Sequence, residues 1–291
     1  MKKIFIIISL MHLCYASDTI TFFIAADPHV GRHQLQDNEN INKQTIEDMN
    51  SLPGALYPAS NETVAIPRGL LIAGDLTGDL HEHWDGFWLG KWHEGFDHLY
   101  QVNGEGMLRY PVYEGYGNHD FQFFSERVLA GIYIRNKYRS TPVKTSDNGL
   151  HYSWDWDNIH FINLNLYPGG FGRAEYSLDF LKYDLQHNLK TPNQPVILYH
   201  HYSYDSSLLW WSKEEREEAY EVMKSYNIIA IFTGHEHRSD HYQWHNIPIF
   251  AVPNTYEELQ YCVCKITDNT IHVYKRKNGQ WDGFWQTSFK R

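Results

Sequence analysis

Short apolar runs punctuate a chain that is otherwise strongly polar. Ile20–Ala26, Leu70–Ala73, Pro111–Tyr116, Val196–Tyr199 and Ile228–Thr233 are four to seven residues long and largely apolar. Runs of that length predict short strands covered on both faces, as parallel strands are when layers pack on either side. Between them the apolar spacing changes to that of helices. Ile41–Asn50 ends at the breaker Ser51-Leu52-Pro53-Gly54, and Phe121–Tyr138 follows a turn at 118–120. Leu178–Leu189 places Leu178, Leu181 and Leu185 on one side, and Ser212–Tyr226 opens with the capping box Ser212 and Glu215. Later come Ile247–Val252, Tyr261–Ile266 and Ile271–Lys275, the last two joined by a turn at Asp268-Asn269. Early alternation and a late hairpin predict an α/β fold of mixed sheets flanked by helices.

The amino terminus has a different pattern. Lys2 and Lys3 precede the apolar run Ile4–Leu13, then Cys14-Tyr15-Ala16 before Ser17. This is the form of a cleaved secretory signal peptide over residues 1–16, giving a secreted or periplasmic protein. The run is about half the ~20 residues a membrane span requires, and no later run is long and apolar enough. No Pro- or Ser-rich linker divides residues 17–291, so a single domain is expected.

Charge and cysteine content narrow the partners. The formal net charge is −10, and loss of Lys2 and Lys3 with the leader makes it two units more negative. No nucleic-acid-binding surface is expected of such a chain. An anionic substrate remains compatible if metal ions set the local field. Cys262 and Cys264, two apart on one face of a predicted strand, are expected as buried free thiols. Asn61-Glu62-Thr63 is a glycan acceptor sequence, relevant only in a eukaryotic host.

The candidate chemistry lies where the five early runs end. They lead into Asp27-Pro28-His29, Gly74-Asp75, Gly117-Asn118-His119-Asp120, His200-His201 and Gly234-His235-Glu236-His237. Carboxylate, amide and imidazole donors at successive strand exits suit two divalent or trivalent ions such as Mn, Fe or Zn. The segment His81–Tyr100 carries Trp84, Phe87, Trp88, Trp92 and Phe96, and Trp84 and Trp88 are candidate walls of a substrate pocket. The pentapeptide Trp-Asp-Gly-Phe-Trp occurs at 84–88 and again at 281–285 without any repeat around it.

In the order D-x-H, G-D, G-N-H-D, H and G-H-x-H, these motifs resemble the calcineurin-like metallophosphoesterases over most of the chain. The resemblance implies a four-layer fold, two packed mixed β-sheets flanked by helices, with a dinuclear site at the strand ends. It implies Asp27, His29, Asp75 and His237 as ligands of one ion. It implies Asp75, Asn118, His200 and His235 for the other, with His201 in the pocket. His119 is implied as an off-metal proton donor, and Asp120 either orients His119 or caps the helix that starts there. Protein Ser/Thr phosphatases carry an aspartate three residues beyond the bridging one, and purple acid phosphatases a tyrosine. Here that position is Gly78.

The expected enzyme is a metal-dependent phosphoric ester hydrolase in which metal-activated hydroxide attacks phosphorus, with phosphomonoesters favoured. The alternative is a phosphodiesterase acting on a cyclic nucleotide, a glycerophosphodiester or a phospholipid head group. A non-catalytic protein that binds metal or phosphate is a third reading, disfavoured by His119.

Overall fold

The computed structural model describes residues 19–31, 38–78, 92–121, 126–165, 177–205 and 211–290. The expected leader, Trp84 and Trp88 lie outside them. Two mixed sheets form the centre. In the first, β1 (Ile20–Ala25), β2 (Leu70–Ala73) and β3 (Val112–Gly115) run parallel. This sheet continues antiparallel from β1 through β11 (Gln260–Ile266), β12 (Thr270–Lys277) and β13 (Gln280–Ser288). In the second, β6 (Ile159–Asn163), β7 (Val196–His200), β8 (Ile228–Thr233) and β10 (Ile247–Ala251) run parallel. Antiparallel β5 (Tyr152–Trp156) with β4 (Lys144–Thr145) extends one side, and β9 (Asp240–Trp244) the other.

Alternation along each strand divides the core into two regions. Phe22, Ile24, Leu71 and Tyr113 face the other sheet and meet Trp154, Phe161, Tyr199 and Phe232. Phe22 stands edge-on to Phe161 and Phe232, and Tyr113 stacks on Trp154 at 4.2 Å, geometries aromatic pairs favour. Phe23, Ala25, Leu70, Ile72 and Val112 point the other way. Helices α1 (Asn38–Ser51), α3 (Glu126–Tyr138), α4 (Ser177–His187) and α5 (Lys213–Met223) cover those outer faces, and the single turn α2 (Asn118–Phe121) follows β3. The four-layer arrangement expected from the sequence is therefore present.

Two local features depart from a simple apolar pattern. Glu114 lies wholly buried in β3, where Arg135 Nε and Arg139 Nη2 donate to its Oε1 at 3.0 and 2.7 Å. Burial alone would raise its pKa, but the two guanidinium groups hold it below the ordinary carboxylate range. Helix α5 starts at the expected capping box, with Ser212 and Glu215 bonded reciprocally. Cys262 and Cys264 are buried free thiols between the sheets, and burial pushes the Cys262 thiol up to about 12.

Candidate metal centre

The carboxyl ends of β1, β2, β3, β7 and β8 converge, the position where parallel α/β sheets place ligands. The chain turns sharply at each exit. Asp27, His29, Asp75, His235 and His237 all have positive φ, between 42° and 68°. Left-handed backbone costs a non-glycine residue roughly 1 kcal/mol or more. It persists here because hydrogen bonds between neighbouring exits fix it. Asp27 N donates to Gly74 O and His29 N to Asp75 O, both at 3.0 Å. Glycine is required where these exits meet. A Cβ on Gly117 would lie 2.1 Å from Asp75 Oδ1, and one on Gly74 would lie 2.5 Å from His201 Nδ1.

Each of the two aspartates is held by one oxygen and presents the other. Asp27 Oδ2 accepts from His235 N at 3.0 Å, leaving Oδ1 3.3 Å from His237 Nε2 and 4.0 Å from His29 Nε2. Asp75 Oδ1 accepts from His119 N at 2.8 Å. Its Oδ2 lies 3.2 Å from His201 Nε2, 3.7 Å from His29 Nε2 and 3.8 Å from His119 Nε2. Both presented oxygens are fully buried and accept no hydrogen bond of good geometry, an arrangement that a cation satisfies. Asp27, His29 and His237 form one group of donor atoms within 4.8 Å of one another, and Asp75, His201 and His235 form a second. Oxygen and imidazole donors at this spacing fit divalent metal ions.

The assignment of His200 as a ligand is corrected by the structure. His200 continues the outward-facing parity of Leu198 and packs against Tyr204 and Trp211. Neither ring nitrogen makes a hydrogen bond of good geometry, and burial pushes its pKa down to about 3. His201, given to the pocket from sequence, follows the inward parity of Tyr199 instead. Its Nε2 meets Asn118 Oδ1 at 2.9 Å and His235 Nδ1 at 3.1 Å. His201 Nδ1 lies 2.8 Å from Ala73 O. A carbonyl has no proton to give, so Nδ1 carries it and Nε2 is directed at the donor cluster.

The other site residues are placed as follows. His119 stands edge-on to His29 at 4.7 Å, its side chain 21% exposed at the open side. The Asp120 carboxylate bonds neither as an orienter of His119 nor only at the helix start, since it accepts from Leu76 N, Thr77 N and Gly117 N. Tyr256 and Tyr202 were not anticipated. Tyr256 packs edge-on to His29 and His237, and Tyr202 lies against His235. Tyr113, Tyr116 and Trp211 are core residues.

Charge is strongly redistributed within the cluster. Burial would raise the Asp75 carboxyl, but His201, His29 and His119 hold it well below the usual range. Burial lowers His201, yet Asp75 and Asp27 bring it up to about 9. Burial and the His201 charge take His235 down to about 3. Perturbed groups of this density mark a chemical site rather than a packing core.

The chain matches the family model for calcineurin-like phosphoesterases over residues 20–239. No curated protein matches it. Among solved structures it resembles a dimetal phosphatase from Danio rerio, with TM-score 0.61 and 11% identity, covering 93% of this chain and 99% of that one. The purple acid phosphatase PPD1 from yellow lupin gives TM-score 0.61 and 13% identity over 94% of this chain and 54% of that one. GAP50, the anchor in the inner membrane complex of Plasmodium, gives TM-score 0.61 and 12% identity over 94% and 90%. At such identities these likenesses establish the fold alone.

Proposed function

The chain belongs to the calcineurin-like phosphoesterase family, a metal-dependent class of phosphoric ester hydrolases, and within that activity we propose that it hydrolyses phosphomonoesters. The observation that carries the reading is Asp75 Oδ2, a buried oxygen facing imidazoles from both donor groups. Asp75 would thus serve both ions of a two-ion site. Asp27, His29 and His237 complete one side, and Asn118, His201 and His235 the other. When bound, the two cations supply Lewis acidity toward phosphoryl oxygens and lower the pKa of water.

The protein's own groups set the rest of the chemistry. The donor set contributes only two negative charges, Asp27 and Asp75, against two cations of charge two or more. Before a bound water loses its proton, the loaded site would therefore be net positive by at least two units. That matches a monoester dianion better than a singly charged diester. The Nδ1–H bond from His201 to Ala73 O and the bond from His235 N to Asp27 hold the donors in register before substrate arrives. His119, at the open side, gives a ring proton to the departing alkoxide. Residues 1–16 direct export, and N-terminal sequencing of exported protein would then begin at Ser17.

A matched pair of substrates tests the central proposal. With Mn²⁺ bound, an aryl monoester is expected to turn over faster than the corresponding bis-aryl diester. Asp75→Asn loses metal and activity together. His119→Ala keeps its metal and loses roughly 10²–10⁴-fold in turnover of an alkyl ester. Faster diester turnover overturns the monoester assignment, and full alkyl-ester turnover in His119→Ala overturns the proton-donor role.

A further inference from the structure

Asp120 is fully buried and makes four hydrogen bonds with its carboxylate. Oδ2 accepts from Leu76 N and Gly117 N, each at 2.9 Å. Oδ1 accepts from Thr77 N at 2.9 Å and from Thr77 Oγ1 at 3.1 Å. Gly117 precedes Asn118, whereas Leu76 and Thr77 follow Asp75. One carboxylate therefore holds the β2 exit against the β3 exit just beyond their last paired residues, Ala73 and Gly115. A helix cap needs only the bond to Gly117 N, and α2 is a single turn of four residues. The other three bonds leave the helix altogether.

Closeness at this seam is costly to maintain without such an anchor. Gly117 lies so near Asp75 that any side chain there would collide with its carboxylate and its backbone nitrogen. Three convergent N–H groups would also be left unsatisfied unless an acceptor sits among them. The Asp120 carboxyl supplies that acceptor, and burial keeps water from competing for the bonds.

We propose that Asp120 is a positioning residue that fixes the distance between Asp75 Oδ2 and Asn118 Oδ1, and so sets the metal affinity of the pair's shared site. This rests on the reading of Asp75, Asn118, His201 and His235 as ligands. Asp120 touches neither metal nor substrate. It acts through the backbone of the two loops that carry ligands.

The test is chelator competition for Mn²⁺ on the full chain, with the melting temperature measured on each variant. Asp120→Ala is expected to weaken Mn²⁺ binding roughly 10–100-fold, the usual effect of losing a group that orients ligands. Asp120→Asn, which keeps one acceptor oxygen, gives a smaller loss. Thr77→Val deletes only the hydroxyl donor and gives the smallest loss in the same direction, and reads the same quantity if Asp120→Ala does not fold. Leu181→Ala, a core truncation in α4, serves as the stability control: it lowers the melting temperature and leaves Mn²⁺ affinity unchanged. Wild-type affinity in both Asp120 variants overturns the proposal. So does an equal affinity loss in Leu181→Ala at matched melting temperature. If Asp75→Asn binds Mn²⁺ like wild type, the ligand assignment falls and the proposal with it. If Asp75→Asn alone loses binding, the ligands stand and only the clamp falls.

Discussion

Two adjacent histidines, His200 and His201, have opposite fates because a strand alternates its side chains. His201 turns inward and joins Asp75, Asn118 and His235, while His200 turns outward into an aromatic wall. A buried imidazole without good hydrogen bonds costs stability rather than adding it. His200→Leu is therefore expected to retain metal and turnover and to hold or raise the melting temperature. His201→Leu is expected to lose at least one ion and most activity. Metal analysis of both variants decides the matter, and the opposite pattern would return the ligand role to His200. The motif residues were legible in sequence because each ends an apolar run, but the histidine pair was not. Val196–Tyr199 is apolar at every position, so nothing in it marks which parity faces the other sheet. The positive φ of Asp27, His29, Asp75, His235 and His237 was equally hidden, since no residue type there signals left-handed backbone.

Among the elements, legibility followed how many faces a strand buries. β1, β2, β7 and β8 are covered on both faces and read directly from their apolar runs. β9 and β13, at the sheet margins, are mostly exposed or half-buried and left no such run. The second Trp-Asp-Gly-Phe-Trp copy falls in β13. β5 and β6 were missed for another reason, because Asp155 and His160 interrupt them with charge that is neutralised by their mutual pairing across the two strands and by Asp184 and Lys190 farther along the chain. His160 lies between Asp155 at 2.9 Å and Asp184 of α4 at 2.6 Å, and Lys190 pairs with Asp155 from outside. Burial would lower the His160 pKa, but the two carboxylates raise it from 6.5 to about 9. A raised folded-state pKa means stability that is full below the unfolded value and is lost as pH rises through the folded one. This contact is thus complete below about pH 6.5 and lost through about pH 9, with an upper limit of about 3 kcal/mol. The gap in melting temperature between wild type and His160→Leu should be wide at pH 6 and narrow at pH 10. A gap that widens toward pH 10 would refute the assignment of a charged imidazole at this joint.

At the scale of the whole molecule the candidate metal centre is also a joint between the two sheets. Asp27, His29, Asp75 and Asn118 leave β1, β2 and β3 of the first sheet, while His201, His235 and His237 leave β7 and β8 of the second. Their buried and half-buried donors lie close together, and Asp75 and Asp27 each carry an oxygen directed at the cluster. Ions bound there hold together groups that would otherwise repel or remain unsatisfied, so binding is linked to folding. For one site occupied at a hundredfold excess over Kd the linkage is worth about 2.7 kcal/mol. In a chain this long that moves the melting temperature by several degrees. Chelation of the loaded protein should therefore lower the melting temperature, and returning Mn²⁺ should restore it in proportion to the logarithm of its concentration. The two sheets share the inter-sheet core of Phe22, Tyr113, Trp154 and Phe161, so the transition is expected to stay single in both conditions. In Asp75→Asn the metal-dependent shift should largely disappear, because an amide replaces the carboxylate whose Oδ2 faces His29 of one donor group and His201 of the other. A melting temperature indifferent to chelation, in protein shown to have contained metal, would separate the centre from the joint and leave the sheets held by their aromatic core alone.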